Sequence, residues 1–275
     1  MLKQRVITAV LLLAVLLPAL FYPTPEPWAA LTLLFMVGAG WEWARLNGVS
    51  APAARVLGLL LGLGLGLLWW LLGFEPPQLR LWGPVALLWC VLVPLLLRAG
   101  VRGWAPIPQV LRLWLGLALI GLAWWAVVQA RYLGIEMLLS ILALVWMADI
   151  AAYFGGKALG RRKLAPQISP GKSWEGAVSG AVGVLVLAAA WLLLSSSGLA
   201  AHLYAHLWAW GPAWAGLALL GLVAMSVAGD LIESLVKRSA GVKDSSGLLP
   251  GHGGVLDRID ALLPVLPLAM CLLSL

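Results

Sequence analysis

Long apolar segments recur along almost the whole chain, and they constrain its fold more than any other feature of the sequence. A helix needs roughly 20 mostly apolar residues to cross the hydrocarbon core of a bilayer. Nine segments approach this length, at residues 5–22, 27–44, 56–73, 81–97, 111–130, 133–154, 175–196, 213–236 and 258–274. The sequence therefore predicts an all-α, polytopic integral membrane protein with about nine transmembrane helices.

The composition supports lipid as the solvent of this chain. Of its 275 residues, 63% are hydrophobic and 11% are charged, whereas about 25% are charged in an average soluble domain. The net charge of +7 suits an anionic membrane surface or a polyanionic substrate. Nucleic acid is disfavoured as a partner, because the positive residues lie in short loops between apolar runs and form no basic domain.

The placement of Lys and Arg predicts the orientation of the helices. With the N-terminus in the cytoplasm, sixteen of the 18 positive residues fall in inner segments, and only Arg80 and Arg131 fall outside. This asymmetry is typical of membrane proteins, whose cytoplasmic loops are enriched in Lys and Arg. The first apolar run could also be a signal peptide, but no A-x-A-like cleavage site is obvious, so we predict a retained span.

Polar residues divide the chain into two parts of one membrane domain. Residues 1–130 have almost no polar residue within their spans, and we interpret them as a transmembrane scaffold part. Residues 131–275 carry most of the polar chemistry, and we interpret them as the transmembrane catalytic part. Glu42 is the exception in the first part, and its neighbour Arg45 suggests a local ion pair.

Carboxylates near the ends of the last two spans predict a metal site. Asp230, Glu233 and Lys237 are three, four and seven residues apart, so they share one helix face. Asp257 and Asp260 open the ninth predicted helix. Carboxylates are costly near a membrane and rarely face lipid. Two such sets joined by a short loop make a plausible site for Mg²⁺, which binds oxygen ligands.

The loop between these carboxylates has the composition of an anion site. Gly251, Gly253 and Gly254 would allow the backbone to approach a ligand closely. The ninth helix begins next, and we expect its free N–H groups to point toward the loop. Charge to match a triphosphate would come from Lys237, Arg238, Lys243 and Arg258.

Taken singly, several of these residues also have a structural interpretation. Arg161, Arg162 and Lys163 could anchor the inner leaflet, and so could Lys237 with Arg238. Asp149 could be a buried polar residue bonded to a neighbouring helix, Lys243 and Asp244 a surface ion pair, and His252 an inert loop residue. Their concentration in short stretches of an otherwise apolar chain favours a functional site.

Two sets of residues resemble the motifs of the phosphatidate cytidylyltransferases, also called CDP-diacylglycerol synthases. The first set is Ser234, Lys237, Arg238, Lys243, Asp244, Pro250 to Gly254, Asp257, Arg258 and Asp260. The second is Asp149, Tyr153, Ser169, Pro170, Lys172, Glu175 and Gly176. The first 140 residues resemble the family only in hydropathy.

The resemblance implies a reaction in which CTP and phosphatidic acid give CDP-diacylglycerol and pyrophosphate at the cell inner membrane. It implies Mg²⁺ as cofactor, with K⁺ as the candidate second metal, and it places the metal ligands on Asp230 and Asp257. The implied catalytic residues are Lys172, Lys237, Arg238, Lys243, Asp244, His252, Arg258 and Asp260. The implied nucleotide-binding residues are Asp149, Ser169, Glu175, Gly251, Gly253 and Gly254. Expected partners are CTP, phosphatidic acid and the lipid bilayer, and a homodimer is the candidate assembly.

Two other functions remain open on the sequence. A CTP-dependent lipid kinase of the polyprenol or phytol type shares related motifs but transfers the γ-phosphoryl group. A transporter would also have intramembrane carboxylates, but its charges would lie near the bilayer midplane and its sequence would contain inverted repeats. In this chain the charges cluster at one face, which disfavours a transporter.

Overall fold

The computed structural model describes residues 2–74, 76–195 and 201–275, and it is built almost entirely of helices. The helices of the first part are α1 (Leu2–Phe21), α2 (Glu26–Leu46), α3 (Ala51–Leu72), α4 (Leu79–Trp104) and α5 (Gln109–Leu133). The second part contains α6 (Ile135–Leu159), α7 (Trp174–Leu194), α8 (Leu203–Trp208), α9 (Pro212–Ser239), α10 (Leu256–Ile259) and α11 (Leu262–Leu273). Two short strands, β1 (Lys163–Ala165) and β2 (Ser169–Ser173), lie between α6 and α7.

The structure has a helix at each of the nine predicted positions, and the all-α, multi-span fold is confirmed. Within the described ranges, seven helices are long and apolar enough to cross a membrane, namely α1, α3, α4, α5, α6, α7 and α9. The other two are α2, which carries Glu26, Glu42 and Arg45, and α11, which has only 12 residues. The count of nine spans and the cytoplasmic N-terminus stay predictions, and residue 196 of the seventh predicted span lies outside the described residues.

The core forms around α5 and α9, each of which has 50% of its span buried, against 6% for α1 and 17% for α3 and α7. Helices from both parts of the chain share this core, because α4 packs on α9, and α11 packs on α4 and α5. The apolar faces that remain exposed on α3 and α7 suit contact with lipid. The functional division at residue 130 stays a prediction. In the structure, helices from both sides of this residue pack into one core.

Helix α1 is tied to the rest of the molecule at both ends. At one end the buried guanidinium of Arg131 donates to the carbonyl oxygens of Leu20 and Tyr22, at 2.9 and 2.7 Å. These bonds satisfy carbonyl groups at the end of α1 that have no partner within the helix. At the other end the Thr8 hydroxyl donates to the carbonyl oxygen of Pro250 at 2.8 Å. Helix α1 therefore reaches the loop that precedes α10.

The orientation can be tested at the loop between α9 and α10, because α9 separates this loop from Ala209 by the length of a membrane span. Gly247 suits a cysteine probe, since a Cβ there meets nothing within 4 Å, whereas Ser245 is buried. In a variant lacking Cys90 and Cys271, we expect a membrane-impermeant maleimide to label Gly247→Cys from the cytoplasmic side only. Ala209→Cys is the matched control and should be labelled from the other side. Labelling of Gly247→Cys from the periplasmic side alone would contradict the topology.

Candidate active site

The strands β1 and β2 form an antiparallel hairpin that the sequence analysis did not predict. The hairpin leads directly into α7, whose first turn is capped by Ser173, with the hydroxyl oxygen accepting the N–H of Gly176 at 3.1 Å. Serine is a preferred residue at this position because its oxygen satisfies an otherwise unpaired N–H group. Lys172 is the residue just before this cap. The hairpin thereby places its side chain against Asp230 of α9.

A cavity of about 440 Å³ lies between α6, the hairpin, α7 and α9. Its size falls in the range of small-molecule sites, about 300–1,000 Å³. Its polar lining residues include Asp149, Tyr153, Lys157, Ser169, Lys172, Ser173 and Asp230. Four residues of the predicted site come together here although the first and last are 81 positions apart in sequence, namely Asp149, Ser169, Lys172 and Asp230.

Opposite charges meet in the wall of this cavity. The ammonium group of Lys172 lies 2.6 Å from Oδ2 of Asp230, and the Ser234 hydroxyl donates to Oδ1 at 3.2 Å. Asp149 lies in the same cavity wall, and the Asp260 carboxylate accepts the N–H of Ala261 at 2.8 Å. Of these carboxylates, Asp230 contacts the lysine directly. The Asp230 side chain retains 32% exposure, so a ligand in the cavity can reach it.

A second charged cluster is more deeply buried. Lys237 forms ion pairs with Glu233, one turn earlier on α9, and with Oδ1 of Asp257 at 2.5 Å. The other oxygen of Asp257 accepts the Ser245 N–H and hydroxyl, at 3.0 and 2.9 Å, and the Gly254 N–H at 2.7 Å. Burial raises the pKa of Asp257, but the hydrogen bonds from Lys237 and Gly254 outweigh it and hold this pKa at about 2. Asp257 is therefore ionised throughout the neutral range.

The segment 240–255, here called the motif loop, contains a tight turn at residues 249–252. Its closing hydrogen bond is 2.8 Å long and runs from the last N–H to the first carbonyl oxygen. Proline in the second position and Gly251 in the third, with φ +78°, are typical of a type II turn. A Cβ on Gly251 would lie 2.9 Å from the side chain of Arg5, and one on Gly253 would lie 2.6 Å from Asp257. The absence of a side chain at these two glycines therefore makes room for Arg5 and Asp257. Their contact with a ligand stays a prediction.

Glu42 enters this region from α2, and the suggested ion pair with Arg45 is wrong. The guanidinium of Arg45 lies over the ring of Trp41, 5.4 Å from its centroid. Glu42 is fully buried and accepts hydrogen bonds from the hydroxyls of Ser245 and Ser246 and from the N–H groups of Val255 and Leu256. A lone acid inside an apolar span was the available signal for this contact, but its partners lie about two hundred residues away.

The anion site expected at the start of the ninth helix is already filled by carboxylates of the chain. Helix α10 has four residues, and the N–H groups at its start donate to Glu42, while the N–H of Gly254 donates to Asp257. Helix N-termini attract negative charge, and in this fold the nearest negative groups are these two side chains. The N–H groups of Gly254, Val255 and Leu256 are therefore already paired within the chain.

Known proteins resemble this chain over almost its whole length. A model of the cytidylyltransferase family matches residues 3–275. The chain is 41% identical over 288 residues to a phosphatidate cytidylyltransferase from Pseudomonas aeruginosa, with 99% of this chain and 97% of the relative covered. It is 38% identical over 294 residues to one from Haemophilus influenzae, with 97% and 96% covered. The chain belongs to the phosphatidate cytidylyltransferase family. It is thus an enzyme, a nucleotidyltransferase, and the resemblance seen in its motifs is confirmed.

The remaining residues of the family motif lie outside the cavity wall. Arg238 donates to the carbonyl oxygen of Val242 at 3.2 Å, just beyond the end of α9. The guanidinium of Arg258 donates to the carbonyl oxygen of His252, at 2.9 Å from Nε. Lys243 and Asp244 are exposed on the motif loop. The predicted phosphate contacts of the cations Arg238, Lys243 and Arg258 stay predictions.

Glu175 has a clear local role at the start of α7. Its carboxylate accepts the backbone N–H groups of Arg161, at 3.0 Å, and Arg162, at 3.1 Å, and so joins the end of α6 to α7. It lines a separate open groove of about 760 Å³ beside the two arginines rather than the cavity with Asp230. Nucleotide binding by Glu175 stays a prediction.

Lys172 lines the cavity beside Asp230 and can bind a phosphate there, and its replacement tests this role. We expect Lys172→Ala to lower kcat/KM for CTP by roughly 10²-fold, because one oriented donor to a charged transition state contributes that much. Lys172→Arg should retain more activity, and Lys163→Ala, an exposed lysine on the same hairpin, is the matched control. Wild-type kinetics in Lys172→Ala would leave the lysine only a structural ion pair with Asp230.

Proposed function

We propose that this chain transfers CMP from CTP to phosphatidic acid, giving CDP-diacylglycerol and pyrophosphate, at the cytoplasmic face of the cell inner membrane. The observation that carries the proposal is the cavity in which Asp149, Lys172 and Asp230 meet, in a chain of the phosphatidate cytidylyltransferase family. The names of the two full-length relatives support phosphatidate as the lipid acceptor.

The surroundings of the cavity suit a substrate with a polar head and lipid tails. Tyr153 lines the cavity and, like its neighbour Phe154, is more than 60% exposed on the surface of α6. Exposed aromatic residues at the charged end of a membrane helix are typical of the interface with lipid headgroups. A lipid could therefore bring its phosphate to the cavity while its acyl chains stay in the bilayer.

In this reaction an oxygen of the phosphatidate phosphate attacks the α-phosphorus of CTP. A new P–O bond forms, the bond between the α-phosphorus and the β-bridging oxygen breaks, and pyrophosphate leaves with the electron pair. The attacking oxygen is already anionic at neutral pH and needs little help from a general base. The protein's contribution is therefore orientation and charge stabilisation, as in phosphoryl transfer generally.

The chain's own residues divide these tasks. Lys172 can bind a phosphate oxygen, while Asp230 holds its ammonium group in the cavity that Asp149 also lines. Lys237 forms ion pairs with Glu233 and Asp257. In this arrangement it holds these two carboxylates in place and does not face the cavity. We expect the exposed cations Arg238, Lys243 and Arg258 to bind phosphate when the substrates are present.

Mg²⁺ is the cofactor that the donor set fits, with K⁺ as a candidate second metal. The acidic groups around the cavity are carboxylates, which are hard oxygen ligands. Among the described residues no three His, Cys, Asp or Glu side chains form a ready-made metal site, and Mg²⁺ usually binds one or two carboxylates plus substrate phosphates. Asp230 would hold the metal, which would neutralise charge on the phosphates. Asp257 is the second proposed ligand, and it would exchange a present hydrogen bond for the metal.

A radiolabel assay tests the proposed reaction. With purified protein, phosphatidic acid and Mg²⁺, we expect label from the α-phosphate of CTP in the lipid product and label from the γ-phosphate in pyrophosphate. Excess chelator should abolish turnover, and added Mg²⁺ should restore it. Label from the γ-phosphate in the lipid would instead identify a lipid kinase, and full turnover in chelator would contradict the metal requirement.

A double-mutant cycle tests whether Asp230 and Asp257 act on one metal. Each single Asp→Asn change should remove most turnover, and the double variant should be scarcely worse, because groups that act as one unit are strongly non-additive. Asp257→Asn should also lower the melting temperature, since it loses the ion pair with Lys237. Glu136→Gln, at the other end of α6, is the control for loss of an acid. Additive losses, or near-wild-type activity in one single variant at low Mg²⁺, would defeat the shared site.

A further inference from the structure

We infer that Glu42 is a positioning residue of the active site, which holds the motif loop and, through that loop, orients Asp257. The inference rests on the proposed function, because it assigns a part in that reaction to a residue of the N-terminal part of the chain. Glu42 lies on α2, outside both sets of family motif residues, and it does not touch the cavity with Asp230.

The contacts of Glu42 are divided evenly between its two oxygens. Oε1 accepts the Ser246 hydroxyl at 2.5 Å and the Val255 N–H at 3.0 Å. Oε2 accepts the Leu256 N–H at 2.8 Å and lies 3.2 Å from the Ser245 hydroxyl, whose single proton it shares with Asp257. In the part of the chain that the structure describes, no Lys or Arg side chain forms an ion pair with it, so these donors alone compensate a fully buried carboxylate. Such a group is costly to bury unless its hydrogen bonds are complete.

Glu42 and Asp257 hold the same stretch of backbone from two sides. The hydroxyl of Ser245 lies between them, 3.2 Å from Glu42 and 2.9 Å from Asp257. The N–H of Gly254 donates to Asp257, and the next two N–H groups along the chain donate to Glu42. A shift of the loop away from Glu42 must therefore move the donors that orient Asp257.

A glutamine at this position distinguishes hydrogen bonding from packing. Glutamine has nearly the same shape, but its amide NH₂ would face a backbone N–H at one of the two positions. The serine hydroxyls can rotate and accept a hydrogen bond, whereas the backbone N–H groups of Val255 and Leu256 can only donate. Glu42→Gln therefore leaves one backbone donor unpaired, which is costly in a buried place.

The experiment compares the full-length chain with Glu42→Gln, Glu42→Asp and Ser246→Ala, in lipid containing phosphatidic acid. Glu26→Gln is the matched control, because this exposed acid lies at the opposite end of the same helix. For Glu42→Gln we expect a folded protein whose kcat/KM for CTP falls roughly 10–100-fold, since a misplacement of about 1 Å can cost 10²-fold. Glu42→Asp should restore part of this loss because it keeps the charge. Ser246→Ala should lose less, because Glu42 keeps its other three donors.

Amide hydrogen exchange provides a readout that does not depend on activity. In Glu42→Gln, exchange at Val255 and Leu256 should become faster, while exchange in α5 stays as in the wild type. Unchanged exchange at these two amides would overturn the inference. So would a kcat/KM within twofold of wild type, or a loss of activity that only matches the loss of folded protein with unchanged KM and no rescue by Asp. If the wild type makes no CDP-diacylglycerol, the proposed function fails, and exchange still decides whether Glu42 holds the loop.

Discussion

The carboxylate of Asp257 is enclosed by donors of the chain itself, and the conformation of the whole motif loop follows from their positions. Lys237 approaches one of its oxygens, and the other accepts two backbone N–H groups and a hydroxyl. A charge near the membrane and out of water must be compensated in full, because an unpaired one costs several kcal/mol. The loop therefore has to fold back on Asp257, and Gly253 allows this, since a Cβ there would meet the carboxylate.

The compensation extends across the two parts of the chain. Glu42 from α2 takes the N–H groups next to those that Asp257 uses, and Arg131 from α5 satisfies the end of α1. Helix α1 in turn contacts the tight turn of the motif loop through Thr8. The first part of the chain is thus more than a hydrophobic scaffold. It supplies polar groups to the loop that contains Lys243, Asp244 and residues 250–254 of the family motif.

Hydropathy was enough to predict the helices. In the described residues a helix lies at each predicted span, since an apolar segment in lipid must satisfy its backbone internally. The helix-face argument also held for Glu233 and Lys237, which pair one turn apart on α9. It could not reveal that Lys172 reaches Asp230, because that contact depends on a hairpin of short polar strands without a clear alternating pattern. Nor could it show that Glu42, rather than a bound anion, occupies the start of α10.

The two charged clusters differ in exposure, and this difference assigns them different tasks. The side chains of Lys172 and Asp230 are 23% and 32% exposed, whereas those of Lys237, Glu233 and Asp257 are 11% exposed or less. The pair of Lys172 and Asp230 is only partly buried, so both charges remain accessible to ligand atoms. Breaking a buried pair costs about 3–5 kcal/mol because a charge is left uncompensated. The pair in the cavity is therefore suited to substrate binding, and the enclosed cluster is suited to holding the framework while keeping Asp257, the second proposed metal ligand, oriented.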